Sequence, residues 1–188
     1  MRSLLLVLIA LGAIMAADKP EPMKPALLVI DIQKAYLEWM SQEDQAEVLE
    51  YINASIQIFR QAGLPIIRVY NTSPEHGPAQ GSAEFEFPES VPILPEDPLV
   101  VKNYGNSFKQ TDLQKILKKQ DVNTLFLCGL SATGCVLATY YGAKDLDYDV
   151  FMIKNALLSP SVKYTKSIEE IFDALPYPAL RLLINNVK

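Results

Sequence analysis

The strongest constraint on the fold is a run of apolar residues that ends abruptly on an acid. Ala26-Leu27-Leu28-Val29-Ile30 leads into Asp31 with no polar residue between. A continuous apolar run, rather than an alternating one, marks a strand buried on both faces, as in a parallel sheet covered by helices. The rest of the chain repeats the theme. Val48, Leu49, Ile52, Ile56 and Phe59 recur at helical spacing in a segment at about Glu43–Gln61. Gly63 closes that helix and Pro65 opens the next strand, Ile66–Tyr70. Further strands are expected at Leu99–Lys102, Thr124–Cys128, Val150–Ile153 and Leu180–Ile184. Helices are expected at Thr111–Lys119, with Thr111 and Asp112 as candidate caps, at Gly134–Leu146 and at Val162–Leu175. Strands alternating with helices predict a three-layer α/β/α domain with a mostly parallel, six-stranded, Rossmann-like sheet. Residues 71–97 form a long segment rich in proline, glycine and serine. Its length within a compact domain predicts a lid or substrate-binding segment.

The first residues read differently. Arg2 precedes an unbroken apolar or small run from Leu4 to Ala17, and the chain then turns polar at Asp18-Lys19-Pro20. That is the layout of a secretory signal peptide, and the run is short for a membrane span. Cleavage after Ala16 or Ala17 would leave a single domain over 18–188, exported and without stable membrane association. An uncleaved anchor is the alternative.

Composition excludes several function classes. The chain has 188 residues and one histidine, His76, which cannot build a multi-histidine zinc site. Any Ser-His-Asp triad would have to run through that one residue. Two cysteines are too few for a disulfide scaffold, and a net charge of −5 argues against nucleic-acid binding.

In parallel α/β sheets, sites form at the carboxyl ends of the strands. Three reactive side chains fall there. Asp31 ends the first strand and Lys102 ends the Leu99–Lys102 strand. The Thr124–Cys128 strand runs through Gly129-Leu130-Ser131-Ala132-Thr133-Gly134 into Cys135, where a helix opens. A cysteine at a helix N-terminus feels the positive end of the dipole, and a nearby ammonium also favours thiolate. Asp31 is placed to accept the thiol proton. The glycines flanking 130–133 let backbone amides turn toward a ligand oxygen. Each residue also has an ordinary reading: a buried small hydrophobe for either cysteine, a cap for Asp31, a solvated charge for Lys102. Cys128, mid-run on an apolar strand, fits that reading well.

Together these residues resemble the isochorismatase-like cysteine hydrolases, a superfamily that includes nicotinamidases and N-carbamoylsarcosine amidase-like enzymes. The resemblance rests on three blocks in order. They are Ala26 to Gln33, Lys102 with Phe108, Thr111 and Leu113 behind it, and Gly129 to Cys135 followed by Val136-Leu137-Ala138-Thr139. Asn155-Ala156 and Ser159-Pro160 sit where the family has its post-strand loop, so the likeness covers about residues 25–175. It implies Cys135 as nucleophile, Asp31 as general base and Lys102 as the group that stabilises thiolate. It implies a cis peptide at Leu130-Ser131 and an oxyanion hole from the N–H groups of Ser131 and Cys135. The implied reaction is acyl transfer from a small amide or related C–N compound to the thiol, then hydrolysis of the thioester. Nicotinamidases of the family carry an Asp-x-His pair and a second histidine after the second strand. Here that region reads Asn71-Thr72-Ser73-Pro74-Glu75-His76-Gly77, so no metal or other cofactor is expected. Tyr36, Trp39, Tyr104 and Phe108 are candidate pocket walls, with ordinary packing as the equal alternative. The expected partner is a small-molecule substrate. The family is often oligomeric, and a homo-oligomer stays open. Two other readings stand beside the hydrolase: a catalytically idle, exported binding protein of the same fold, and a redox pair of Cys128 with Cys135. The second lacks the Cys-x-x-Cys spacing.

Overall fold

The computed structural model describes residues 21–74 and 77–187. The leader at 1–17 and His76, both singled out above, lie outside the described residues. Five strands form one parallel sheet: β1 (Pro25–Ile30), β2 (Ile66–Asn71), β3 (Leu99–Lys102), β4 (Thr124–Leu130) and β5 (Asp149–Leu158), in the order β3-β2-β1-β4-β5. The helices are α1 (Lys34–Leu37), α2 (Gln42–Gln61), α3 (Leu113–Lys119), α4 (Cys135–Lys144), α5 (Val162–Ile171) and α6 (Tyr177–Asn185).

Successive residues of β1 point to opposite faces. Leu27 and Val29 pack with Ile52, Ile56 and Phe59 of α2 and with Leu180 and Ile184 of α6. Leu28 and Ile30 pack with Leu113 and Leu117 of α3 and Val136 and Ala143 of α4. Both faces are therefore covered, which is why every residue of β1 and β4 is buried.

The α2 boundary follows from local chemistry. The Ser41 hydroxyl accepts from Asp44 N at 3.1 Å, Glu43 and Asp44 occupy the positive first turn, and Gly63 leaves the helix with φ of +67°. Thr111 and not Asp112 supplies the α3 cap, its Oγ1 accepting from Leu113 N at 3.2 Å.

The expected sixth strand is not formed. Leu180–Ile184 lies inside α6, with Pro178 in its first turn, where a missing N–H costs nothing. Leu180 and Ile184 are buried while Leu182 and Leu183 are exposed, a four-residue repeat that a strand cannot present. The apolar run was long enough for either element, and burial on one helical stripe decides it.

β5 is longer than its apolar core suggests. A register irregularity between Leu127 and Gly129 carries it on to Leu157 and Leu158, which pair with Gly129 and Leu130. Its far end then accepts a hydrogen bond from Ala132 N at 2.7 Å, bracing the segment before Cys135. The described part of the 71–97 segment is anchored rather than free. Phe85, Phe87 and Val91 are buried, Phe87 stacks on Tyr70 at 4.2 Å, and Lys34 N donates to Glu86 O at 3.0 Å.

Candidate active site

Asp31 follows β1 immediately and adopts a left-handed backbone, φ +54°, a region that aspartate tolerates better than most residues. Its N–H stays tied to the sheet through Val69 O at 2.9 Å. Two strands away, Lys102 ends β3. Its Nζ donates to Asp31 Oδ2 at 2.7 Å, and both side chains are buried. The sheet twist and the left-handed step after Ile30 bring these ends together across β2.

The third member arrives from β4. Gly129 has φ of +117°, and a Cβ there would sit 2.1 Å from Ile30 O. Only glycine lets β4 pass so close to the end of β1. The Leu130–Ser131 peptide bond is cis. The chain then turns through 131–134, with Val136 N donating to Ser131 O at 3.1 Å, and α4 begins at Cys135. As the first helical residue, Cys135 has an N–H with no acceptor inside its own helix.

The structure therefore brings Asp31, Lys102 and Cys135 to one point. Asp31 Oδ2 is taken by the lysine. Oδ1 is buried and has no partner in full hydrogen-bonding geometry among the described residues. The Cys135 thiol nevertheless approaches the carboxylate closely enough to lower its pKa. Burial dominates and holds the Asp31 pKa above the usual carboxylate range, with the lysine charge and these contacts pulling it partly back.

The neutral thiol is the favoured form in the resting site. Burial, followed by the Asp31 charge, pushes Cys135 up to about 11, and the opposing pull of Lys102 does not restore it. The helix start and the lysine were visible in the sequence, but the depth of the site and the nearness of a carboxylate were not. The resting arrangement is a neutral thiol beside the lysine-paired carboxyl group of Asp31. Cys128 is a separate case. It is fully buried, its thiol donates to Leu28 O at 3.5 Å, and burial alone raises its pKa.

The aromatic candidates divide. Tyr36 on α1 is buried and lies within the field of both Asp31 and Cys135, which together with burial keep its phenol neutral. Trp39 is edge-on to the Tyr36 ring at 5.5 Å and mostly exposed. Tyr104 lies under Lys109 Nζ at 3.9 Å, and Phe108 stacks on Tyr148 at 5.9 Å as part of the core beneath α3 and α4.

Sequence reasoning gave no role to Asn71, although it is the last residue of β2. Its register partner is Lys102, so the two side chains leave the sheet on the same face. Asn71 Nδ2 lies 3.8 Å from Cys135 Sγ. Gln33, fully buried, holds the Asn71 backbone at both ends, Nε2 donating to Asn71 O at 3.1 Å and Oε1 accepting from Asn71 N at 2.7 Å. The signal was positional: Asn71 ends β2, and Gln33 lies just beyond the end of the neighbouring β1.

Asn71, Thr72 and Ser73 do not fit the carboxylate-and-imidazole set that the metal-dependent relatives were expected to carry at this point. Among the described residues no group of three His, Cys, Asp or Glu side chains could hold a metal ion. A cavity of about 70 Å³ lies between the start of α2, the end of β5 and α5, lined by Asp44, Asn155, Ser159, Lys166 and Glu169. None of the three converging residues lines it.

The isochorismatase domain model matches residues 25–177. The chain belongs to the isochorismatase family. Among curated relatives, an uncharacterized isochorismatase family protein of Bacillus subtilis, YrdC, is 27% identical over 140 residues, covering 71% of this chain and 73% of its own length. The secreted isochorismatase effector Isc1 of Verticillium dahliae is 28% identical over 134 residues, covering 70% of each. Among solved structures, N-carbamoylsarcosine amidase from Thermoplasma acidophilum superposes with a TM-score of 0.71 at 21% identity, covering 82% of this chain and 95% of its own. A cysteine hydrolase from Pseudomonas syringae pv. phaseolicola superposes with a TM-score of 0.76 at 20% identity, covering 91% and 100%. At those identities the likeness speaks for the fold. Isochorismatase-family structures share the α/β architecture built here on β1 to β5.

Proposed function

We propose that this family member is a metal-independent cysteine hydrolase of small amides or related C–N compounds. The observation that carries the reading is the Cys135 thiol at the start of α4, set against the buried Asp31–Lys102 pair. The names of the two structural neighbours, an amidase and a cysteine hydrolase, are in line with it.

The thiol proton passes to the Asp31 carboxylate as Sγ attacks the substrate carbonyl carbon. Lys102 favours the anionic form of Asp31 and offsets charge on sulfur. The N–H groups of Ser131 and Cys135 hold the oxyanion of the tetrahedral intermediate. Its collapse breaks the C–N bond, and the proton on Asp31 goes to the departing nitrogen. Asp31 then takes a proton from water, which attacks the thioester. The acid product leaves as the proton returns to sulfur.

The substrate is a small molecule. Export through removal of residues 1–17 belongs to the same reading, and the secreted fungal relative lends it support. Among the described residues no helix is long and apolar enough to cross a membrane.

The test is a mixture of small amides and ureides offered to the protein, with mass spectrometry of the Cys135 peptide. An acyl adduct on Cys135 is expected, and Cys135→Ala should lose turnover while keeping the fold. Full hydrolysis by that variant, or a disulfide between Cys128 and Cys135 in the active protein, would overturn the reading.

A further inference from the structure

The side chain of Asn71 has no part in the chemistry just given, yet both its backbone and its amide are held in place. Gln33 takes up both its backbone N–H and its carbonyl. Its Oδ1 accepts from Ser73 N at 2.8 Å. That bond fixes which end of the amide faces the sulfur. With the amide reversed, two donors would meet at Ser73 and an oxygen would face Sγ. Nδ2 is therefore the atom 3.8 Å from Cys135 Sγ, presented as a donor.

We propose that Asn71 is a fourth member of the catalytic centre, donating through Nδ2 to the Cys135 sulfur and stabilising it as thiolate when the thiol gives up its proton. The role rests on the cysteine-hydrolase reading. A neutral thiol at this separation is a weak acceptor, so the contact does little for the resting site. Once sulfur is anionic the bond becomes charge-assisted and strengthens. The interaction thus favours the reacting state over the ground state, which is the kind that accelerates a step.

The groups acting on the thiol from the surrounding elements are few. Asp31 after β1 opposes ionisation and Lys102 on β3 favours it. Tyr36 on α1 faces the same point as a neutral phenol. Lys102 already shares its charge with Asp31 at 2.7 Å. Asn71 is the neutral donor aimed at sulfur from the end of β2.

The test is the rate of iodoacetamide alkylation of Cys135 as a function of pH, which needs neither substrate nor turnover. Cys128, buried and bonded to Leu28 O, stays unreactive and reports that the fold is intact. Asn71→Asp keeps the shape and the oxygen that caps Ser73, but places a carboxylate against the sulfur. Asn71→Ser keeps an oxygen that can accept from Ser73 N but is too short to reach Sγ. Alkylation near neutral pH should slow by about tenfold or more in Asn71→Asp and by roughly threefold or more in Asn71→Ser, with both profiles displaced to higher pH. A wild-type profile in either variant overturns the proposal, since a residue that only caps the 71–73 turn would leave alkylation unchanged. If no amide is ever turned over, the hydrolase reading fails while the alkylation profile still decides the role of Asn71.

Discussion

Replacing Lys102 with methionine isolates what the buried pair contributes. Methionine keeps most of the side-chain volume and removes the charge, so packing changes little and Asp31 is left alone. At 2.7 Å the two charges attract by roughly 6 kcal/mol at an effective dielectric of about 20. Much of that offsets the cost of taking both ions out of water, so the pair itself need not stabilise the fold. Removing one partner is different, because it leaves an uncompensated buried charge, and the expected loss is about 3–5 kcal/mol. For a chain of this size that lowers the thermal midpoint by roughly 6–20 °C. The measurement is urea unfolding of the wild type, Lys102→Met, Asp31→Asn and the double variant, with the coupling energy taken from the cycle. The double variant should recover most of the loss. The pH dependence has a definite sign. Burial already raises the Asp31 pKa in the folded chain, and loss of the lysine raises it further. The penalty is therefore absent near the unfolded carboxylate value, about 3.9, and grows as pH rises toward the raised folded value, remaining full above it. A loss below about 1 kcal/mol at pH 7, or a double variant no more stable than Lys102→Met, would refute the reasoning.

Two further outcomes follow from the same geometry. Asp31→Asn removes the charge that opposes thiol ionisation, so the midpoint of Cys135 alkylation should move below about 11 while turnover is lost; an unchanged or higher midpoint sinks this electrostatic account. In α6, Ile184→Ala should cost about 2–4 kcal/mol and Leu182→Ala less than about 0.5, measured by denaturant midpoint; equal costs would contradict the buried stripe on which the helix rests.

Much of this fold was legible because both faces of β1 and β4 are buried, and a continuous apolar run is the direct trace of that burial. The carboxyl-end rule then located Asp31, Lys102 and Cys135 without any structure. Leu180–Ile184 misled because an apolar stretch so short carries both periods, and only contact with Ile52 and Phe59 on α2 selects the helix. The reach of β5 to Leu158 was hidden because the extension follows an irregularity at Asn155, which has a left-handed backbone and is tied to buried Glu169. Local apolarity does not report such a step. The raised thiol pKa was not legible either. Its cause is depth and distance, and a sequence lists the charges without saying how far they stand from water. Asn71 escaped for a similar reason, since an asparagine ending a strand looks like a turn residue until its amide is seen held from both sides.

The strand order gives the Asp31–Lys102 contact a second consequence. β1 and β4, which lead to Asp31 and Cys135, are interior strands of the sheet, whereas β3 is a four-residue strand on its edge. Edge segments with few neighbours open at lower free energy than interior ones. The contact therefore works as a fastener, pinning the most easily detached strand to the middle of the sheet across β2. Whatever frees β3 unhooks Lys102 from Asp31 while β1 and β4 remain paired, which on the proposed function removes activity. Loss of activity on warming should then run ahead of loss of the sheet, and a compound that neutralises Asp31 would loosen the edge as well as block the chemistry.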